Sequence, residues 1–190
     1  MALGKQAKTL NEAQIKTVLM HLVSTRQAKR NQLMVLLSCD AGLRAKEIAS
    51  LTWAMVTDSE GKVADAIRLE DKASKGKSGG VVYMSRRQRA HLVEFADKEQ
   101  SRGTVIKSRD GSAMGSQVVT NWFFILYRSL GFEGCSSHSG RRTAITRWAR
   151  NITAAGGSLV DVQRLARHAS IAMTQRYIEV SADAMRKVVG

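Results

Sequence analysis

The sequence predicts a mainly α-helical fold with one small antiparallel β-hairpin, an α+β chain, and three observations carry that expectation. Apolar residues recur at three- and four-residue spacing through most of the chain, the period of a helix with one buried face. That period is lost once, between Val56 and Met84, where two short β-rich runs flank a stretch of Lys, Gly and Ser. Glycines at 42, 131 and 156–157 then punctuate the helical segments where a left-handed terminator is needed.

In chain order, Thr9 offers a capping hydroxyl and Glu12 stands three residues later, the pattern of a capping box. Ile15, Val18, Leu19, Leu22 and Val23 follow at helical spacing, predicting a first helix over roughly 10–24. A second helix, about 27–40, carries Leu33, Val35, Leu36 and Leu37 and stops at Asp40-Ala41-Gly42. A short third helix starts at Leu43-Arg44 and ends near Thr52-Trp53. Val63 to Leu69 and Val81 to Met84 read as paired strands, with a lysine-bearing hairpin tip between them. Helix signals return from Arg86 to Ala96, a short strand is expected over Gly103–Lys107, and Ser108–Ser112 reads as a loop. Val118, Val119, Trp122, Phe123, Leu126 and Tyr127 form a helical stripe expected in the core, ending at Gly131. Further helices are expected over 138–155 and 159–167, on a short segment carrying Tyr177, and over the tail from Ser181 to Gly190.

At 190 residues, the chain is long enough for one domain that buries roughly two-thirds of its unfolded surface. Residues 1–190 are read as that single domain. The strongest compositional fact is a formal charge of +14, from 30 Lys and Arg against 16 Asp and Glu, which points to a polyanionic partner, most simply double-stranded DNA. The basic residues are spread along the whole chain instead of edging one amphipathic helix, which argues against a membrane surface. No apolar run approaches the roughly 20 residues of a membrane span, and the polar start lacks a signal core. A soluble, intracellular protein is expected. Cys39 and Cys135 are too few and too separated for a disulfide framework or a zinc site, so neither metal nor cofactor is expected.

The chemistry-bearing residues concentrate in the last third. His138 and Arg141 lie three apart, which on a helix puts both on one face, within reach of the same small anion. A guanidinium presents a planar fork that matches phosphate oxygens and stays charged at any working pH. Earlier, Arg44 falls at a helix–helix corner, where it either caps the carbonyls of the preceding helix or is oriented by Glu47, three residues on, as a phosphate clamp. The hairpin lysines either keep the tip soluble or enter a groove of bound DNA. His168 and Tyr177 stand nine residues apart, and a tyrosine can act as a covalent nucleophile when its phenol, with a free pKa near ~10, is relieved of its proton. The plainer alternatives are a Tyr177 ring packed beneath the last helix and a His168 satisfied at a helix end.

Taken together in chain order, Arg44 in Gly-Leu-Arg-Ala-Lys-Glu, a hairpin lysine, His138-x-x-Arg141, His168 and Tyr177 resemble the tyrosine recombinase (phage integrase) family. The resemblance spans about residues 9–180 and implies that family's catalytic-domain fold. Two departures are visible: Gly140 and Arg142 stand where the family commonly has Leu and a second His, and Ala166-Arg167-His168 replaces its common Leu-Gly-His. Counting back from Val81-Val82 favours Lys75 as the catalytic lysine, with Lys77 and Lys72 left open. The family's usual N-terminal core-binding domain is not expected before Thr9, as in a catalytic fragment or a short single-domain member such as the fimbrial-switch recombinases.

The resemblance implies a mechanism. Tyr177 attacks a DNA phosphodiester, leaving a 3′-phosphotyrosyl link and a free 5′-hydroxyl. Arg44 and Arg141 neutralise the non-bridging oxygens, Lys75 protonates the leaving oxygen, His138 assists deprotonation of the phenol, and His168 hydrogen-bonds a phosphate oxygen. Two fixed guanidinium charges replace a metal, and the covalent link conserves the bond energy, so no ATP is required. The expected partners are DNA and further protomers, assembling as a tetramer on it. The expected setting is bacterial or phage-encoded, acting on the nucleoid in the cytoplasm. The same chemistry would serve a type IB topoisomerase, and the same fold could serve a regulator that binds DNA without cutting it.

Overall fold

Asn11, not Thr9, caps the first helix. Its Oδ1 accepts the Gln14 N–H at 2.8 Å, and Gln14 Oε1 accepts the Asn11 N–H at 3.0 Å, a capping box that starts α1 at Glu12–Val23. Just before it, the N–H of buried Leu10 is taken by Thr143 Oγ1 at 2.8 Å, which ties the segment ahead of the helix to the later helix that carries Thr143. The computed structural model describes residues 6–74, 79–96, 102–178, 185, 186 and 189, and divides the chain into two units, Met1–Ala144 and Ile145–Gly190.

In the first unit, α2 (Ala28–Cys39) is the central element. Residues Leu33 to Cys39 are all buried, and a half-helix buried all round must be covered on every side. α1, α3 (Ala45–Ala49) and α5 (Arg86–Ala96) supply that cover. α2 ends as expected, with Gly42 at φ +62° and the Leu43 N–H bonded to Leu37 O at 3.0 Å.

The helix expected through Thr52 is instead broken into α3 and α4 (Trp53–Val56). Between them the backbone bonds sideways, Val105 N–H to Leu51 O at 2.8 Å and Trp53 N–H to Gly103 O at 3.0 Å. That exchange also explains why 103–107 forms isolated bridges, Thr52 with Thr104 and Lys107 with Ala113, in place of the expected strand.

β1 (Ala66–Leu69) and β2 (Gly80–Tyr83) pair antiparallel, Ala66 opposite Tyr83 and Leu69 opposite Gly80. Ile67, Leu69 and Val82 face the core while Arg68, Val81 and Tyr83 face out, the alternation of a half-buried ribbon. The connection includes a 3-10 turn, Asp71–Ala73. A side chain at Gly79 would meet Leu69 O at 2.5 Å, so the ribbon closes here only on glycine. α6 (Ser116–Ser129) buries Val119, Phe123, Leu126 and Tyr127 and packs on α3. Its stripe is narrower than expected, since Val118 is exposed and Trp122 half-buried.

α7 (Ser139–Asn151) begins in the first unit and ends in the second, four residues short of the expected 155. The second unit adds α8 (Leu159–Ala166) and α9 (Ile171–Gln175) around a small core of Ile145, Val162 and Ala166. A Ser158–Asp161 capping box starts α8, and Arg167 closes it in the left-handed region at φ +53°. α9 stops two residues before Tyr177, which lies in the following turn and not on a helix. The tail helix expected over 181–190 falls largely outside the described residues. Among the described residues no helix is long and apolar enough to cross a membrane.

Candidate active site

The residues singled out in the sequence fall into both units. In the first, the turn that ends α2 organises an arginine corner. Arg44 precedes α3 in extended backbone and is held by Glu47 at two points. Its N–H donates to Glu47 Oε2 at 2.8 Å and its Nη1 to Oε1 at 2.8 Å. The Glu47 side chain is 0% exposed and that of Arg44 21% exposed, so the carboxylate is the buried anchor and the guanidinium the part that reaches out. Arg44 is thus oriented by Glu47 and, among the described residues, makes no hydrogen bond to carbonyls of the preceding helix. One edge of the guanidinium is fixed, and its remaining N–H donors have no partner among the described residues.

Arg141 arrives from the first turn of α7 and is 3% exposed. Its Nη1 donates to Gly42 O at 2.6 Å, so both arginines are anchored on the segment from Gly42 to Glu47. The approach of α7 depends on Gly140. A Cβ there would fall 2.2 Å from Ser38 Oγ and 3.0 Å from Cys39 Sγ, so the Leu that the family commonly places here has no room against α2.

His138 is exposed and stands just before α7, not within it. Its carbonyl accepts the Arg142 N–H at 2.9 Å and its own N–H reaches Ser136 Oγ at 3.3 Å. Buried Ser139 closes the entry, its Oγ accepting the Ser136 N–H at 2.9 Å, which makes the serine-rich stretch 136–139 a helix-start device. Of the hairpin lysines, Lys75 and Lys77 lie outside the described residues, and Lys72 is an exposed member of the 3-10 turn paired with Glu70 at 2.7 Å.

The second unit holds His168 and Tyr177. Their rings stack with centroids 5.4 Å apart and planes 26° from parallel. His168 is buried, and its Nδ1 shares a 2.9 Å hydrogen bond with the hydroxyl of fully buried Thr174. In the tautomer where that hydroxyl donates, Nε2 carries the ring's proton. Tyr177 packs half-buried on the small core, and its N–H donates to Thr174 O at 2.9 Å. Among the described residues its hydroxyl makes no hydrogen bond. Thr174 therefore orients the His168 ring through its hydroxyl and receives the Tyr177 N–H through its carbonyl, and a threonine on a short helix carries no signal of that in the sequence. Asp40 is likewise read in the sequence only as part of a helix stop. The described residues include no grouping of His, Cys, Asp and Glu that could hold a metal ion.

The chain belongs to the phage integrase family, whose model matches residues 8–183. No curated protein sequence matches it. Among solved structures it is similar in fold to the XerA recombinase, at 20% identity and a TM-score of 0.75, covering 99% of this chain and 64% of that one. It is similarly related to the Tn1549 transposon integrase in complex with a circular intermediate DNA, at 16% identity and TM-score 0.74, covering 98% and 66%. A lambda integrase dimer bound to a COC′ core site matches at 17% identity and TM-score 0.69, over 93% of this chain and 51% of that one. The chain thus spans just under two-thirds of the first two proteins and about half of the third.

Proposed function

We propose that residues 1–190 form the catalytic domain of a site-specific DNA recombinase that cleaves and rejoins DNA through a 3′-phosphotyrosyl intermediate. The arginine corner carries this reading: two guanidinia, one fixed by a buried carboxylate and one by a buried carbonyl, on a chain of the phage integrase family with formal charge +14. Fixed cations cost no reorganisation when charge builds on a phosphate, and each is worth roughly 100- to 1000-fold in rate.

The choice of nucleophile has support among the three tyrosines. Tyr127 is fully buried, and burial pushes its phenol well above the usual range. Tyr83 is 68% exposed on the outer face of β2. Tyr177 alone is stacked on a histidine, with its hydroxyl unbonded among the described residues. In the proposed reaction the Tyr177 oxygen bonds to phosphorus while the bond to the 5′-oxygen breaks. His138 assists removal of the phenol proton, and Lys75 gives a proton to the leaving oxygen. Arg44, Arg141 and the Nε2 of His168 hold the non-bridging oxygens.

Structures of the Tn1549 integrase and lambda integrase contain DNA, which supports duplex DNA as the substrate here. Four protomers assembling on two duplexes would supply one nucleophile per strand exchanged. Such an enzyme, bacterial or phage-encoded, would act in the cytoplasm on the nucleoid.

The test is incubation with nicked suicide duplexes built from the DNA flanking its own gene. A denaturation-resistant protein–DNA adduct is expected from the native chain and none from Tyr177→Phe, with DNA binding kept by both. Binding without any adduct would contradict the proposal. Relaxation of supercoiled DNA without partner exchange would reassign the chemistry to a type IB topoisomerase.

A further inference from the structure

Asp40 is a carboxylate at the end of α2 whose side chain is 1% exposed. Arg87 grips it through both oxygens, Nε to Oδ2 and Nη2 to Oδ1, each at 2.6 Å. Ser85, the residue before α5, donates its hydroxyl to Oδ2 at 2.7 Å. Arg87 also reaches Glu12 on α1 at 3.3 Å, so the grip joins α1, α2 and the start of α5. The paired carboxylates hold the Arg87 guanidinium above the usual arginine range, Asp40 contributing most.

Burying a carboxylate is expensive, and a buried pair seldom out-stabilises apolar side chains of the same volume. What such a pair does supply is geometry. Here the geometry belongs to the turn on which the arginine corner rests. Asp40 begins that turn, Gly42 carries the carbonyl that receives Arg141, and Arg44 follows. Beyond the turn's own bonds from Asp40 N–H to Leu36 O and Leu43 N–H to Leu37 O, the carboxylate fastens it to the start of α5, as the Gly42 carbonyl fastens it to α7.

We propose that Asp40, clasped by Arg87 and Ser85, is a positioning residue that sets the Gly42–Arg44 turn, and through it both guanidinia, at the distance the scissile phosphate requires. The proposal rests on the recombinase reading above. Asp40 touches no substrate; it acts through the carbonyl of Gly42 and the backbone of Arg44.

The experiment uses Asp40→Asn, which keeps the shape and removes the charge. Arg87→Gln reaches the same pair from its more exposed side, and Arg87→Lys is the conservative partner. Single-turnover adduct formation is measured at saturating DNA with two substrates, an ordinary diester and a methylphosphonate at the scissile position, which lacks the negative charge the arginines neutralise. On the diester, Asp40→Asn is expected to slow cleavage about 10- to 100-fold, the scale of a small misplacement, with DNA affinity within about 3-fold of wild type. On the methylphosphonate the defect should shrink to under about 3-fold, because a misplaced cation matters less there. Arg87→Gln should behave alike, with Arg87→Lys falling between it and wild type.

Wild-type cleavage rates in Asp40→Asn and Arg87→Gln would overturn the proposal. So would an equal loss on both substrates, which is what loosened packing alone would produce. A wild-type protein that binds DNA and forms no adduct would refute the recombinase reading itself, and the clasp's role with it.

Discussion

The arginine corner and the tyrosine end are built to different standards. At the corner, Glu47 is fully buried with both oxygens engaged, Arg141 is nearly so, and Asp40 is clasped through both of its oxygens. The surrounding core runs from Leu10 to Tyr127. At the tyrosine end, Tyr177 lies in a turn after a five-residue helix, packed half-buried on a three-residue core, with one histidine ring against it. The difference matches the two tasks proposed for these regions. Cations that stabilise a transition state must already be in place, whereas a nucleophile that is consumed and regenerated has to travel to phosphorus and back.

The largest test of that contrast is at the cations. Arg141→Lys and Arg44→Lys, each replacing a planar fork by a point charge, should slow adduct formation roughly 100- to 1000-fold while duplex binding changes little. Next comes the anchor. Glu47→Gln leaves Arg44 beside a neutral amide at a fully buried site and should cost about 2–4 kcal/mol in denaturant unfolding.

Gly140→Leu, which restores the residue common in the family, should cost about 1–3 kcal/mol through overpacking against Ser38, and Ser38→Gly in the same chain should recover part of it. The smallest effect belongs to the tyrosine end. Thr174→Val removes the hydroxyl partner of His168 and should cost about 1 kcal/mol. A Thr174→Val loss as large as that of Glu47→Gln would break the contrast. Amide exchange slower at 171–177 than at 44–49 would break it too.

What could be read in the sequence was local. The Arg44–Glu47 pair is three residues apart, and the stop at Gly42 and the helical face of α6 are encoded in short windows. What could not be read was decided by bonds between distant segments. Leu10, next to the cap, is buried and bonded to Thr143, 133 residues away. The third helix broke because Leu51 and Trp53 pair with residues near 104. Arg141 could be picked out as a candidate by type and spacing, but its acceptor, the carbonyl of Gly42, lies 99 residues away. Gly140 looked like a departure from the family pattern until the distance to Ser38 gave it a reason. Asp40 looked like punctuation, since nothing in its neighbourhood announces an arginine 47 positions later.

The most direct test of the account is to digest the protein–DNA adduct from a suicide substrate and sequence the modified peptide by mass spectrometry. A single phosphodiester-linked residue is expected, Tyr177, joined to the 3′ end of the cleaved strand. A linkage at Tyr83 or Tyr127, or on the 5′ end, would contradict it.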